Sequence, residues 1–251
     1  MQTEQLDDKS VKSVYDEKAS LQPNINAVLD AGNNVNSRRA NLLHDYLHKK
    51  TLKKTLNLHH DDIILDFGTG VGRLSTFLSP YVKKIIGVDA SKQMIQVAQE
   101  NCKASNIEYI LLDTEKIPIE DNTFDKAFSY WVLASISNAM LDKIIPEIYR
   151  LIKPNGLFVF YEQVKKESVY EKNIHKKRTV DEYKTLCERH GFQFLHTEAV
   201  QRTPSYAMHF WKKHKFLPKI CLPFFYFLEQ KTLYRKQVNV DYYTNVFVFK
   251  K

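Results

Sequence analysis

The sequence has no run of about 18 uncharged apolar residues, so no membrane-spanning helix is expected. Its opening stretch, Met1 to Ser10, is polar and partly acidic and lacks the apolar core of a secretory leader. Cysteine is scarce. Cys102, Cys187 and Cys221 lie far apart, which excludes a zinc-type spacing and gives no metal site. Their odd number fits a reducing, cytoplasmic setting. No internal repeat or low-complexity linker is present, and no G-x-x-x-x-G-K-[ST] phosphate loop occurs anywhere.

What is present suits a packed globular domain. The 251 residues are 43% hydrophobic, enough for one large α/β domain or a domain with a cap. The net charge of +8 is unevenly spread. Residues 1–163 hold 19 Lys/Arg against 21 Asp/Glu, whereas residues 164–251 hold 18 against 8. The basic excess therefore belongs to the C-terminal third, and it suits either an anionic partner or a solvated face.

Residues 1–60 read as helical, with Asn36-Ser37 able to cap a helix running to about Leu56. From residue 61 strands alternate with helices. Apolar runs at 62–66, 84–88, 107–112, 125–130 and 157–161 read as strands. Segments 73–78, 91–104 and 141–152 between them read as helices, and Lys153-Pro154-Asn155-Gly156 reads as a turn. That alternation predicts a parallel, doubly wound sheet with helices on both faces, a Rossmann-like α/β fold. Later, 180–190 reads as a helix closed by Gly191, and 192–200 and 245–250 as two further strands. Between those strands lies a basic, aromatic insert at about 203–240, too long for an ordinary loop. The expected organisation is an N-terminal helical cap (1–60) and an α/β domain (61–251) carrying that insert.

The most informative segment is Asp66-Phe67-Gly68-Thr69-Gly70-Val71-Gly72-Arg73, which follows a strand and opens a helix. Glycines there let the backbone turn sharply and approach a ligand. A dinucleotide loop starting at Gly68 needs its third glycine at position 73, which is Arg73. Asp66 at the strand tip is also poor company for a pyrophosphate, but it suits a ligand bearing ammonium and sulfonium charges. The second strand ends in Asp89, where a carboxylate can accept both hydroxyls of a ribose. The third ends in Asp113-Thr114, where it can accept from an adenine amino group. Any one of these acids reads equally well as a helix cap or turn residue. Three at successive strand tips, behind that glycine loop, point to an adenosyl ligand.

At this point the chain resembles the class I S-adenosylmethionine-dependent methyltransferases, in the broad small-molecule (type 11-like) branch that includes quinone-biosynthesis enzymes. The resemblance rests on Ile64 to Gly72, Gly87-Val88-Asp89-Ala90-Ser91, Leu112 to Pro118, Phe124-Asp125 and Leu151 to Gly156. It implies a seven-stranded, mostly parallel sheet whose last strand, 245–250, inserts antiparallel beside 192–200. It implies S-adenosyl-L-methionine as cofactor. Asp66, Gly68, Thr69, Gly70 and Gly72 would form the loop around the methionine portion. Asp89 would hold the ribose, Ala90 and Met94 would pack beside the adenine, Asp113 and Thr114 would face its edge, and Trp131 would extend the pocket. The activity implied is methyl transfer to oxygen or nitrogen of a small metabolite, glycan or lipid-linked acceptor. An RNA methyltransferase using the basic C-terminal third and a non-catalytic cofactor-binding protein remain as alternatives.

No catalytic base is assigned. The segment after the fourth strand, Trp131 to Ile136, holds no histidine, and no N/D-P-P-Y signature is present. His175, His190, His196, His209 and His214 in the C-terminal third are the candidate histidines for reaching an acceptor. Tyr15, Arg38 and Arg39 are candidates to touch cofactor or substrate from the N-terminal helices. The insert reads first as a substrate lid, second as a peripheral membrane contact through 206–236, and third as a single-stranded nucleic-acid surface. A lid predicts that Trp211 and Phe224 are both buried, and a membrane contact predicts that both are exposed.

Overall fold

The computed structural model describes residues 7–21, 24, 29, 35–112, 116–171, 174–203, 205–233 and 242–251. A seven-stranded sheet forms its centre. Its strands are β1 (Ile63–Phe67), β2 (Lys84–Asp89), β3 (Ile107–Leu111), β4 (Phe124–Tyr130), β5 (Ile152–Val164), β8 (Gln193–Thr203) and β9 (Tyr242–Lys250). The order is β3-β2-β1-β4-β5-β9-β8. Strands β1 to β5 pair in parallel, and β9 runs antiparallel between β5 and β8. This is the Rossmann-like doubly wound arrangement that the alternating pattern predicts. The switch in strand order falls between β1 and β4, so a crevice opens at their carboxyl ends.

Side-chain alternation splits the core between the two faces of the sheet. Leu65, Phe158, Phe160, Phe247 and Phe249 face one side, under α5 (Asn138–Leu151) and α6 (Val180–Glu188). Their neighbours Ile64, Val159, Tyr161, Val246 and Val248 face the other, under α3 (Arg73–Leu78) and the end of α2 (Val35–Leu56). Local chemistry sets the helix starts. Ser91 Oγ accepts from Met94 N to cap α4 (Lys92–Asn101), Ser137 does the same for α5, and Thr179 and Glu182 form a capping box on α6.

Three features differ from the sequence reading. Lys153-Pro154-Asn155-Gly156 does not separate helix from strand. It forms an irregularity inside β5, because Ile152 already pairs with Phe124 before Leu157 pairs with Lys126. A short antiparallel hairpin, β6 (Val169–Glu171) and β7 (His175–Lys177), fills a stretch without apolar alternation. Finally, α2 joins two packing units. Leu52 and Leu56 enter the sheet's core, whereas Leu43 and Leu47 pack with Ala207, Trp211, Leu222 and Phe225. The last four come from α7 (Tyr206–Lys213) and α8 (Leu222–Thr232), which form a small lobe on α2. The N-terminal helix α1 (Asp8–Leu21) lies against α4, burying Ala19 beside Met94 and Val97.

Candidate cofactor site

A cavity of about 860 Å³ lies at the carboxyl ends of β1, β2 and β4. Of the residues singled out from the sequence, Asp66, Gly68, Thr69, Gly70, Asp89, Ala90, Met94 and Trp131 line it. Gly72 does not. It sits at the N-cap of α3 with φ +72°, where an added Cβ would stand 2.3 Å from the Tyr109 hydroxyl oxygen. Its glycine is required by packing of the loop onto β3. Asp113 and Thr114 lie outside the described residues, although Leu112 and Lys116 on either side line the cavity.

The loop after β1 is held from beneath. The Gly68 and Thr69 amides both donate to the Val88 carbonyl at 2.9 Å. Gly68 has φ +76°, and a Cβ there would meet Val132 Cγ2 at 2.3 Å. Asp66 is 3% exposed, and its Oδ2 accepts from Thr69 Oγ1 at 2.8 Å and Ser75 Oγ at 2.6 Å. Burial pushes its carboxyl up to about 6, against the lowering effect of those two hydroxyls. Asp89 Oδ2 accepts from Gly70 N at 2.8 Å and Oδ1 from Ser91 N at 2.9 Å. Each oxygen keeps a second lone pair, so both can still accept from a vicinal diol. Burial raises the Asp89 carboxyl as well.

α1 straps across this cavity. Asp8 accepts from Ser137 N at 2.9 Å and Ser137 Oγ at 2.6 Å, and Asp16 accepts from Ser91 Oγ at 2.5 Å. Tyr15 lines the cavity, with its hydroxyl 3.2 Å from Ser135 Oγ. Arg39, by contrast, belongs to the lobe. Its guanidinium donates to the carbonyls of Trp211, His214, Lys215 and Leu217 at the end of α7 and lies 3.7 Å from the Trp211 ring centroid. Arg38 is exposed and does not line the cavity.

The far wall is aromatic. Trp131 follows β4 with φ +57°, a conformation that costs a bulky side chain about 1–3 kcal/mol. Its amide donates to the Tyr161 carbonyl, and its ring meets His48 edge-on at 4.6 Å and His44 at 5.7 Å. Tyr130 is stacked between His48 and Tyr161. His48 is fully buried, and burial plus the Arg73 charge hold it well below the usual histidine range, so it is neutral. Its Nδ1 lies 3.2 Å from Arg73 Nη2 and accepts from it, since a guanidinium only donates. Arg73 also pairs with Asp45, while its Nε is buried in the cavity wall without a partner.

The loop after Trp131 is pinned from elements that sequence reading did not connect to it. Glu162 on β5 accepts from Leu133 N at 2.6 Å. Burial pushes its carboxyl up to about 7, and its Oε2 has no donor. Arg178, at the end of β7, donates to the carbonyls of Leu133 and Ile136. Ser135 Oγ lies 2.8 Å from His175 Nδ1, which brings one of the five candidate histidines to the cavity edge. Of the other four, His209 lines a second cavity of about 600 Å³, described below, while His190 pairs with Asp142, His196 is exposed on β8 and His214 stacks on Phe210. The second cavity shares Trp131 with the first and is otherwise lined by His44, Gln201, Met208, His209 and lysines 212, 213 and 215, among others. The indole Nε1 of Trp131 is buried without a partner between them.

The donor set fits an adenosyl amino acid: two strand-tip carboxylates face the cavity, with a buried unpartnered guanidinium nitrogen beside the first. Residues 65–160 match the family model described as a methyltransferase domain. Over 161 residues the chain is 29% identical to the sterol 4-C-methyltransferase of Caenorhabditis elegans, covering 62% of this chain and 45% of that one. Over 114 residues it is 37% identical to the malonyl-[acyl-carrier protein] O-methyltransferase of a Marinomonas species, covering 42% and 39%. The chain thus spans less than half the length of either relative. In fold it is similar to phosphoethanolamine N-methyltransferase 1 of Haemonchus contortus, solved with phosphoethanolamine and S-adenosylhomocysteine. The TM-score is 0.65 at 15% identity, covering 97% of this chain and 48% of that one. Glycine loop, strand-tip acids, sheet order and family match converge on one assignment: the chain carries a class I S-adenosylmethionine-dependent methyltransferase domain.

Proposed function

We propose that the protein transfers the methyl group of S-adenosylmethionine to a small lipophilic acceptor that reaches the reaction centre past Trp131. The observation that carries this reading is the shared wall. Trp131 belongs both to the cavity with Asp66 and Asp89 and to the second cavity beneath α7. A cofactor seated in the first would face an acceptor entering from the second. The sterol named for one relative supports a lipophilic acceptor.

S-adenosylmethionine supplies a methyl group on a sulfonium, open to in-line displacement. The residues of this chain would do the rest. Asp66 would hold the ammonium and Arg73 Nε the carboxylate of the methionine portion, while Asp89 accepts from the ribose and Ala90 and Met94 pack beside the adenine. The Tyr130–Trp131 wall and α1 exclude water and fix the approach of the acceptor, which is where most of the rate gain of such a reaction arises. A proton released by an oxygen or nitrogen acceptor would pass through Ser135 Oγ to His175 Nδ1, 2.8 Å away.

Transfer of labelled methyl groups to extracted lipids and to polar metabolites, measured separately, tests the reading. Product in the lipid fraction is expected. His175→Gln should lower kcat about tenfold or more and flatten its pH profile, with KM for the cofactor unchanged. Product confined to polar metabolites would sink the lipophilic acceptor, and an unchanged pH profile would remove His175 from the proton path.

A further inference from the structure

The lobe built from α7 and α8 splits the two alternatives posed by the sequence. Trp211 is fully buried against α2, yet Phe224 is 58% exposed. The lobe is therefore firmly docked on its inner side and bare on its outer side. Among the described residues, ten large hydrophobic side chains are exposed, and six lie in this one lobe: Tyr206, Phe210, Phe216, Ile220, Phe224 and Phe227. Ile220 and Phe216 are 84% and 79% exposed.

These side chains are neither scattered nor accidental in their spacing. On α8, Leu222, Phe225 and Glu229 point inward, whereas Phe224, Phe227 and Lys231 share the outer face. On α7, Ala207 and Trp211 are buried while Tyr206, Phe210 and Lys213 are exposed. Ring contacts link the patch across the two helices. Phe216 meets His214, His214 stacks on Phe210, and Phe210 and Phe224 both touch Phe225. An exposed aromatic surface of this continuity marks a contact site.

Charge identifies the occupant. Lysines 213, 215, 219 and 231 are exposed around the aromatic face, and Lys212 is half-buried at its edge. The one acidic residue between 203 and 233 is Glu229, which is fully buried and accepts from Arg202 N and Ser205 Oγ. The described part of this segment is thus aromatic and cationic and brings no exposed acid of its own. A second copy of the same face would set lysine against lysine. We propose that this face docks in the plane of a bilayer bearing anionic headgroups, its aromatic side chains at the acyl boundary and its lysines among the headgroups. No described helix is long and apolar enough to cross a membrane, and α8, with 11 residues, is about 16 Å long. Met208, His209 and Lys212 of the same lobe line the second cavity, so docking would set that cavity at the membrane surface. This last consequence rests on the acceptor route proposed above; the docking itself does not.

Co-sedimentation of the whole chain with vesicles tests the proposal without cofactor or acceptor. Phosphatidylcholine vesicles are compared with the same vesicles containing phosphatidylglycerol. Binding is expected to the anionic vesicles and to be released by salt. K219Q with K231Q should weaken it about 30-fold, and F224S with F227S about tenfold or more. Both pairs are solvent-exposed, so the melting temperature and the affinity for S-adenosylhomocysteine, measured on the same preparations, should not change. Absence of binding to anionic vesicles, or binding indifferent to both variants, overturns the proposal. So does a concentration-dependent dimer that F224S with F227S dissolves, which would assign the face to a second copy of the chain. Loss of vesicle binding with cofactor affinity intact would leave the methyltransferase reading untouched, and the converse would leave the docking surface standing.

Discussion

The half of the molecule around β1, β2 and β4 and the half formed by α2 with the α7–α8 lobe obey different rules. In the first, function is written locally. Each strand ends in the residue that faces the cavity, and the glycine loop takes its shape within five positions, 68–72. In the second, nothing local suffices. Arg39 and Trp211 stand 172 residues apart, yet the Trp211 indole donates to the Arg39 carbonyl at 2.7 Å and the Arg39 guanidinium lies over that ring. Short-range geometry makes a cofactor site readable. Long-range packing makes a lobe whose inner side is fixed by burial and whose outer side is free for a partner.

If the two halves are as separable as this packing implies, the lobe can be loosened without disturbing the site. Trp211→Ala should remove about 3–5 kcal/mol of packing from the small core it shares with Leu43, Leu47 and Phe225. Hydrogen exchange should show amides of α7 and α8 losing protection while those of β1 and β2 keep theirs. Equal loss across the sheet would merge the two halves into one cooperative unit.

A smaller effect sharpens the boundary on the site's side. Glu162 holds the loop that carries Trp131 and Ser135, and burial raises its carboxyl from the usual 4.5 to about 7. The folded protein therefore holds this proton more tightly than the unfolded chain. Its contribution to stability is fully present below about 4.5 and is lost as pH rises through 7, a change of about 3 kcal/mol. Asp66, raised to about 6, adds a slope of the same sign. Denaturant unfolding between pH 5 and pH 8 should show stability falling, and less steeply in Glu162→Gln. Identical slopes would mean that Glu162 is already ionised at pH 5.

How much was legible follows the same division. The parallel, doubly wound sheet and the placement of Asp66, Asp89 and the glycine loop at the crevice were readable, because strand–loop–helix periodicity puts strand-tip residues there without reference to distant contacts, whereas the antiparallel last strand and the places of Ala90, Met94 and Trp131 came with the family resemblance. Gly72 carried the right residue type for a different reason, the close approach of Tyr109. Glu162 and Arg178 were not legible as site residues, and His175 stood only as one of five candidate histidines. The first lies inside a buried strand, and the others lie in or just after a lysine-rich hairpin with no apolar alternation, so only the fold brings them to the loop after Trp131. Arg39 was misplaced because a cation on a capping helix looks the same in sequence whether it meets a ligand or the carbonyls at a helix end.

Calorimetric titration of the whole chain with S-adenosylhomocysteine tests the central claim most directly, using Gly68→Ala and Asp89→Asn as variants and NAD as the competing ligand. The account predicts one site per chain and no binding of NAD. Asp89→Asn should lose about tenfold or more through the ribose contact. Gly68→Ala should lose about a hundredfold through its left-handed backbone and the clash with Val132. Binding of NAD instead, or equal affinity in all three proteins, would contradict the placement of the adenosyl cofactor between Asp66 and Asp89.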